Sequence, residues 1–546
     1  MAPLLLTSCG GGGGGGGGSS GGSTTTPTTP APTPGGNIAA WQSGVYAAAT
    51  EFKNKCATVR TGMDAEGTPF PDKAGTRLHE TNWLRSWTRE TYLWNTEVTD
   101  FNPSLYTRPV DYFAVLRTMH MTPSGRYKDE YHFSEPTVDF IASRNATPTA
   151  SYGMALAITS SYVPRDIRVV FTEPNSPASV LDGSGQPNVK RGTRIIAVNG
   201  LDLVYGGNTQ AEVDAMNNAL FPAKANQTNT FRVRDADGTE RSLSLTSANI
   251  SPKPVNRTNI INTGTGKVGY VLFNSFGPYA SEHDLVDAIQ DMKTGEVTDL
   301  VLDLRYNGGG LLAVASQLSY MIAGDTQTTG KNFESLKFNS SAGNLNPITG
   351  QTNTPTPFYK TTLGFSLAGG SPLPSLNLSR VFILSTGNTC SASESVINSL
   401  RGIDVEVILI GDTTCGKPYG FYPQDNCGQT YYTIQFQGVN HKGFGDYADG
   451  FVPQNSYAAH GVKVPGCVAD DALTHELGDT SENLLSVALT YRQSGSCPAG
   501  FTSSSQMRNA RSSSSALGNA YATSPALTPP ARSVMQTNRD MAMPDR

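Results

Sequence analysis

VFILSTGNTCSASESVINSL (381–400), continued by RGIDVEVILIGDTTCGKPYG (401–420), is the stretch that decides how this chain is read. The apolar run Val381 to Leu384 has the length and composition of a buried strand. It passes through a polar turn into Ser391-Ala392-Ser393-Glu394, which opens an amphipathic helical run. A second apolar run, Val405 to Ile410, predicts a neighbouring strand and is followed by a Gly416-Lys417-Pro418 turn. Ser391 and Lys417 are therefore expected at one edge of two adjacent strands, as nucleophile and base. A serine at the end of a strand and in the first turn of a helix lies beside free backbone N–H groups that can receive negative charge. The plainer reading of Ser391 is a helix N-cap, with Glu394 completing a capping box. The same free amides serve both readings.

Upstream, strand and helix signals alternate. Val268 to Phe273 reads as an apolar strand, and His283 to Lys293 places Leu285, Ala288, Ile289 and Met292 on one helical face. Leu300 to Arg305 is the next strand and runs into Tyr306-Asn307-Gly308-Gly309-Gly310, after which Leu311, Leu312, Ala315 and Leu318 mark another helix. Such alternation predicts an α/β layer around a buried sheet. Residues 326–360 are polar and rich in Gly, Asn and Thr, and are expected to form a surface insertion. Downstream, Tyr431 to Gln437 alternates as a strand and Glu482 to Tyr491 has helical spacing.

The domains expected are a leader and tether (1–36), a helical N-terminal cap (37–141), a β-rich domain (142–250), an α/β core (251–495) and a disordered tail (496–546). The cap carries Trp83, Trp87, Tyr92 and Trp94 at helical spacings, read as core. In the β-rich domain, Tyr152-Gly153-Met154, the Pro174 to Ala178 turn and the run Val189 to Gly200 together resemble a PDZ domain, whose peptide ligand adds as a strand to an exposed sheet edge. The resemblance implies that Tyr152, Gly153 and Met154 hold a peptide's terminal carboxylate. The Asp237-Gly238 turn between two alternating strands closes the domain as a hairpin.

The 546 residues carry 40 Lys and Arg against 45 Asp and Glu, a net charge of -5, with no basic run, which argues against a nucleic-acid partner. No apolar stretch is long enough for a membrane helix. Leu6-Thr7-Ser8-Cys9, ahead of the glycine run Gly10 to Gly18, resembles the lipobox of a bacterial lipoprotein. It implies lipidation of Cys9, membrane attachment through that anchor alone, a location in the cell envelope (periplasmic or outer-membrane-anchored), and a start lying further upstream. Of seven cysteines, six follow Cys9, an even number that suits disulfides in an exported protein; Cys415 with Cys427 is the expected first pair. No CxxC or paired-histidine spacing points to a metal, and no cofactor is expected.

Asp303 to Leu312, Ser391 to Glu394 and Gly416-Lys417, in that order behind a PDZ-like segment, resemble the C-terminal processing peptidases, or tail-specific proteases. The resemblance implies a multidomain α/β (α+β) protein with a crotonase/ClpP-like core. It also implies a Ser391–Lys417 dyad, an oxyanion hole from the amides of Gly309 and Ala392, and protein or peptide substrates recognised at their C-termini. Keeping a lysine neutral at pH 7 means bringing it from about 10.4 to about 7, roughly 4 kcal/mol of desolvation. In this family a Gln or Glu often follows the lysine by four residues; here Phe421 stands there, leaving Gln424, Gln429 or no third residue. The alternative is a catalytically silent peptide-binding scaffold. A phosphate-binding loop over Gly411 to Lys417 is disfavoured by Pro418 where Ser or Thr is needed. A Ser-His-Asp hydrolase is disfavoured by the lack of a Gly-x-Ser-x-Gly elbow and by the polar settings of His441, His460 and His475.

Overall fold

The structure, a computed structural model, describes residues 40–499 and Leu527. Cys9, the tether and the rest of the tail lie outside the described residues. Within the N-terminal region the long helix is α1 (Arg77–Thr91), accompanied by short helices at Pro109–Phe113 and Thr137–Arg144. Its tryptophans Trp83 and Trp87 are core, packed with Phe113 and, from the far end of the chain, Tyr431.

The next unit is a sheet ordered β5-β4-β3-β2-β1, built from β1 (Met154–Ser160), β2 (Asp166–Thr172), β3 (Arg194–Val198), β4 (Thr228–Arg234) and β5 (Glu240–Thr246). Helix α2 (Gln210–Leu220) packs Val213, Met216 and Leu220 into the same core as Leu156, Ile167 and Val198. The Asp237-Gly238 hairpin is formed, with Arg234 opposite Glu240. β1 stands at the edge of this sheet. Leu527 reaches it from the tail, 3% exposed within that core, its N–H 3.2 Å from the Ser161 carbonyl.

The central sheet has six strands in the order β6 (Val255–Thr263), β7 (Gly266–Phe273), β8 (Asp299–Asp303), β9 (Arg380–Ser385), β10 (Glu406–Gly411) and β11 (Gly466–Val468). β6 and β7 are antiparallel and every later neighbour is parallel. The run of buried residues along β8 and β10 follows from having both faces covered. Alternate residues feed opposite cores. Val271, Leu302, Ile383 and Leu409 pack with α3 (Ala280–Thr294), α4 (Leu312–Thr328) and α5 (Ala392–Gly402) on one face. Leu272, Val301, Phe382 and Ile408 pack with α6 (Asn483–Ser494) on the other.

Two expectations are revised. Within 326–360 a strand, Asn332–Lys337, pairs with Phe436–Val439 and buries Phe333 and Glu334, so the segment is partly core rather than surface insertion. The single strand expected over 431–437 is two, Gln429–Tyr432 and Phe436–Val439. The first pairs with Phe133–Pro136 of the N-terminal region.

A buried ion cluster joins these layers. Arg305, just past β8 and fully buried, donates to Asp303 (2.9 Å), Asp471 (2.8 Å) and Glu482 (2.8 Å). Arg191, from the β-rich domain, donates to the Tyr306 hydroxyl (2.5 Å) and pairs with Asp471. Burial would raise the Asp471 carboxyl, but the Arg305 and Arg191 guanidiniums outweigh it and hold it below the ordinary range. Removing one member of such a cluster leaves the others buried and unpaired. Arg305→Met is therefore expected to lower stability by about 3–5 kcal/mol, read as a fall in the denaturation midpoint.

Candidate active site

The parallel strands β8, β9 and β10 end at one edge of the central sheet. Ser391 lies there, 0% exposed, between β9 and α5. Its backbone has φ 68° and ψ −120°, a conformation an L-residue adopts at a cost of about 1–3 kcal/mol. The capping-box reading is met on one side: Glu394 accepts the Ser391 N–H (3.0 Å). Ser391 Oγ, by contrast, is buried with no hydrogen-bond partner, so the hydroxyl is not used as a cap.

The glycine turn after β8 packs directly on this serine. Gly309 has φ +106°, and a Cβ there would lie 2.7 Å from Ser391 Cβ and 2.9 Å from Oγ, so no side chain fits. Asn307 organises the contact: its carbonyl accepts from Cys390 N–H (3.1 Å) and Ser393 Oγ (3.0 Å), and its Oδ1 accepts from Gly309 N–H (2.9 Å). The Gly309 amide, expected as an oxyanion donor, is thus bonded to Asn307 in this structure. Ala392, the other expected donor, is the first residue of α5 and is fully buried.

Lys417 is reached through Glu394. The carboxylate accepts from Gly416 N–H and Lys417 N–H (2.8 Å each) and from the Thr414 hydroxyl, besides Ser391 N–H. Burial pushes the Glu394 carboxyl up; the Thr414 hydroxyl and the three amides pull it back by bonding its charged form. The Lys417 side chain is wholly buried, with Nζ 4.4 Å from the Phe421 ring centroid and 5.0 Å from that of Tyr131. Since Ser391 Oγ has no hydrogen-bond partner, Lys417 does not hydrogen-bond it here. The structure therefore brings Ser391, Gly309, Ala392 and Lys417 to one edge.

Gln424 and Gln429 do not serve Lys417: Gln424 accepts from Lys53 Nζ (2.7 Å) and Gln429 donates to Ser134 Oγ (3.2 Å), both in the N-terminal region. The expected Cys415–Cys427 pair is also overturned. Cys415 is bonded to Cys390, Cys427 to Cys56, and Cys467 to Cys497. Cys390 and Cys415 each follow the end of adjacent parallel strands, which places them together, whereas the loop beyond Lys417 turns away toward the N-terminal region. Among the described residues, Cys390, Glu394 and Cys415 form the one group with metal-ligand proximity, but the disulfide consumes both thiols.

Sequence reading missed Arg126 and Tyr131. Arg126 donates to the Cys415 carbonyl (2.7 Å), and Tyr131 donates to the Gly416 carbonyl (3.1 Å) while facing Lys417. Nothing local to either residue signals this, since their partners lie 289 and 285 residues away.

Tyr152, Gly153 and Met154 lie together at the start of the edge strand β1, apart from Ser391. The Tyr152 hydroxyl donates to the Ala219 carbonyl at the end of α2 (3.1 Å), tying the loop to the helix. Gly153, φ +76°, donates to Ser151 Oγ (2.9 Å), and a Cβ there would strike Ser176 at 2.2 Å. Met154 begins β1, opposite Thr172. A separate crevice of about 570 Å³ between Asp299, Arg380, Glu406 and Arg492 lies where the parallel strands begin, at the opposite edge from Ser391. Its Asp299 is already paired with both arginines.

The core thus sets a buried, partnerless serine hydroxyl on a turn of positive φ, against a glycine turn, with a buried lysine whose amide shares the same carboxylate. Residues 267–423 match the model of Peptidase family S41. The putative S41 protease from Bacteroides fragilis NCTC 9343 shares the fold: 23% identity, 76% of this chain and 97% of that one covered, TM-score 0.56. The photosystem II D1 C-terminal processing protease aligns at 15% identity over 72% of this chain and 94% of that one, TM-score 0.40. Mature CPAF complexed with lactacystin aligns at 12% over 69% and 92%, TM-score 0.35. A search of curated proteins finds no match.

Beside Gly153, the Glu173 N–H donates to the Gly153 carbonyl (2.8 Å), and burial pushes its carboxyl from 4.5 up to about 7. The folded chain thus holds this proton more tightly than the unfolded one. Stability is expected to be greatest below about pH 4.5 for this group and to decline as pH rises toward about 7. Denaturation midpoints of the native chain and of Glu173→Gln across that range check this; the variant should lack this component of the slope.

Proposed function

We propose that the chain is a serine endopeptidase that engages proteins or peptides at their C-termini and cleaves them through an acyl-enzyme on Ser391. The observation that carries this is the buried, partnerless Ser391 Oγ, held on a strained turn whose amide shares one carboxylate with Lys417. Lys417 Nζ takes the Ser391 proton as Oγ attacks the scissile carbonyl carbon. The oxyanion is received by the amides of Ala392 and Gly309, the latter exchanging Asn307 Oδ1 for substrate oxygen. The proton passes to the leaving amine, and water, deprotonated by the same lysine, releases the acyl group. In the resting arrangement serine and lysine are not hydrogen-bonded, so substrate binding must bring them into reach.

The rings of Tyr131 and Phe421 wall Lys417, its Nζ lying 5.0 Å and 4.4 Å from their centroids. The edge strand β1 and the Tyr152-Gly153-Met154 loop supply the place for a peptide to add as a strand. Cys9 is the proposed lipid anchor, in the cell envelope; three disulfides among the described residues support an oxidising compartment.

A silent peptide-binding scaffold is the second reading, favoured by Phe421 standing where the resemblance implies a polar residue. A fluorophosphonate probe separates the two. Labelling is expected in the native chain and absent in Ser391→Ala. Both Ser391→Ala and Lys417→Ala should lose at least about 1000-fold in kcat on an unfolded protein, with unchanged thermal midpoints. Hydrolysis undiminished in Ser391→Ala would remove the peptidase reading. A rate that climbs between pH 6 and 10 is expected of a lysine base, and a flat profile argues against it. Peptides with a free C-terminal carboxylate should bind more tightly than their amidated forms, as isothermal titration reads directly.

A further inference from the structure

Cys390 immediately precedes Ser391, and Cys415 lies two positions before Lys417. The disulfide between them, with Cα atoms 5.1 Å apart, crosses from the turn that ends β9 to the loop that follows β10. We infer that this disulfide is a positioning element of the hydrolytic site, holding the nucleophile turn and the base loop at fixed spacing, so that its reduction switches hydrolysis off while the fold persists. The inference rests on reading Ser391 and Lys417 as the reacting pair.

The other ties between the two segments are hydrogen bonds. Cys415 N–H donates to the Thr389 carbonyl (3.0 Å), and Glu394 receives the donors already described. Arg126 braces the Cys415 carbonyl from the N-terminal region. Each of these can yield to water or shift by a fraction of an ångström, whereas the covalent bond cannot. Proton transfer from serine to lysine is intolerant of such shifts: about 1 Å of misplacement can cost roughly 100-fold in rate. The sheet does not depend on the bond. β9 and β10 stay paired from Arg380–Glu406 to Ser385–Gly411, and Cys390 N–H stays bonded to Asn307. Neither of the other disulfides adjoins Ser391 or Lys417.

The chemistry is thiol–disulfide exchange with a dithiol. Cys415 is 8% exposed and Cys390 0%, so the incoming thiolate attacks the Cys415 sulfur and Cys390 leaves as thiolate and is protonated. The second thiol of the reductant then displaces Cys415. Two electrons and two protons pass to the protein, and the reductant ends as a disulfide.

The test uses the full chain. Oxidised protein is first assayed for fluorophosphonate labelling and hydrolysis of an unfolded protein, then treated with dithiothreitol, with alkylation and mass spectrometry mapping which cysteines are free. Reduction mapped to Cys390 and Cys415 should lower kcat by about 100-fold, leave KM within a few-fold and keep unfolding cooperative; reoxidation should restore the rate. The Cys390→Ala/Cys415→Ala variant should be slow already and insensitive to dithiothreitol. Cys56→Ser/Cys427→Ser and Cys467→Ser/Cys497→Ser should keep the native response. Unchanged kcat with Cys390 and Cys415 mapped as free overturns the inference. So does loss of cooperative unfolding in step with activity, which would make the bond merely structural. If the oxidised chain neither labels nor hydrolyses, the Ser391 reading itself fails and takes the inference with it.

Discussion

The carboxylate of Glu394 is the point on which the edge of the central sheet depends. It is fully buried, yet four donors from two separate chain segments converge on it. A carboxylate in such a place costs several kcal/mol to desolvate and is tolerated only when its lone pairs are filled. Those donors are the Ser391 amide at the start of α5 and, from the loop beyond β10, the Thr414 hydroxyl and the amides of Gly416 and Lys417. Satisfying one charge therefore fixes two loops that would otherwise be independent. The geometry around Ser391 follows from the electrostatics of a neighbouring carboxylate.

A second buried charge network stands behind the first. Arg305 and Arg191 share Asp471, and Tyr306, which also bonds Asp471, lies two residues before the glycine run that packs on Ser391. The β-rich domain thereby reaches Tyr306, three residues before Gly309, both directly from Arg191 and through Asp471. Gly192 reinforces the junction, since its Cα approaches the Leu473 carbonyl so closely that a Cβ would lie 2.1 Å away. The two units meet at a charged seam, and any rotation of one against the other must re-pair those ions.

Much of this was legible in the sequence where local pattern and long-range role coincide. Four of the six central strands, β7 to β10, are legible because their apolar runs are nearly continuous, whereas the half-exposed edge strand β6 and the three-residue β11 carry no such run. Ser391 and Lys417 were placed at one edge because each follows a strand. The same argument applies to Cys390 and Cys415, one and two residues away, and would have paired them; nearness in sequence favoured Cys427 instead. Glu394 was visible as a capping residue, but its other bonds come from a loop whose path sequence does not specify. Arg126 and Tyr131 were beyond reach for a simpler reason: their partners lie on the far side of the chain. The strand at Asn332–Lys337 hid within a polar segment because it is short and buries only Phe333 and Glu334 between its two neighbours.

The Cys56–Cys427 bond closes 371 residues of chain into a covalent ring. Every segment from the N-terminal region to the loop after Lys417 lies on that ring. A single cut in any exposed turn between those cysteines would linearise the ring without releasing a fragment, and the pieces would remain tethered on both sides of the wound. For a chain whose proposed reaction is peptide-bond cleavage, topology then supplies a tolerance to nicking that hydrogen bonds and packing alone do not.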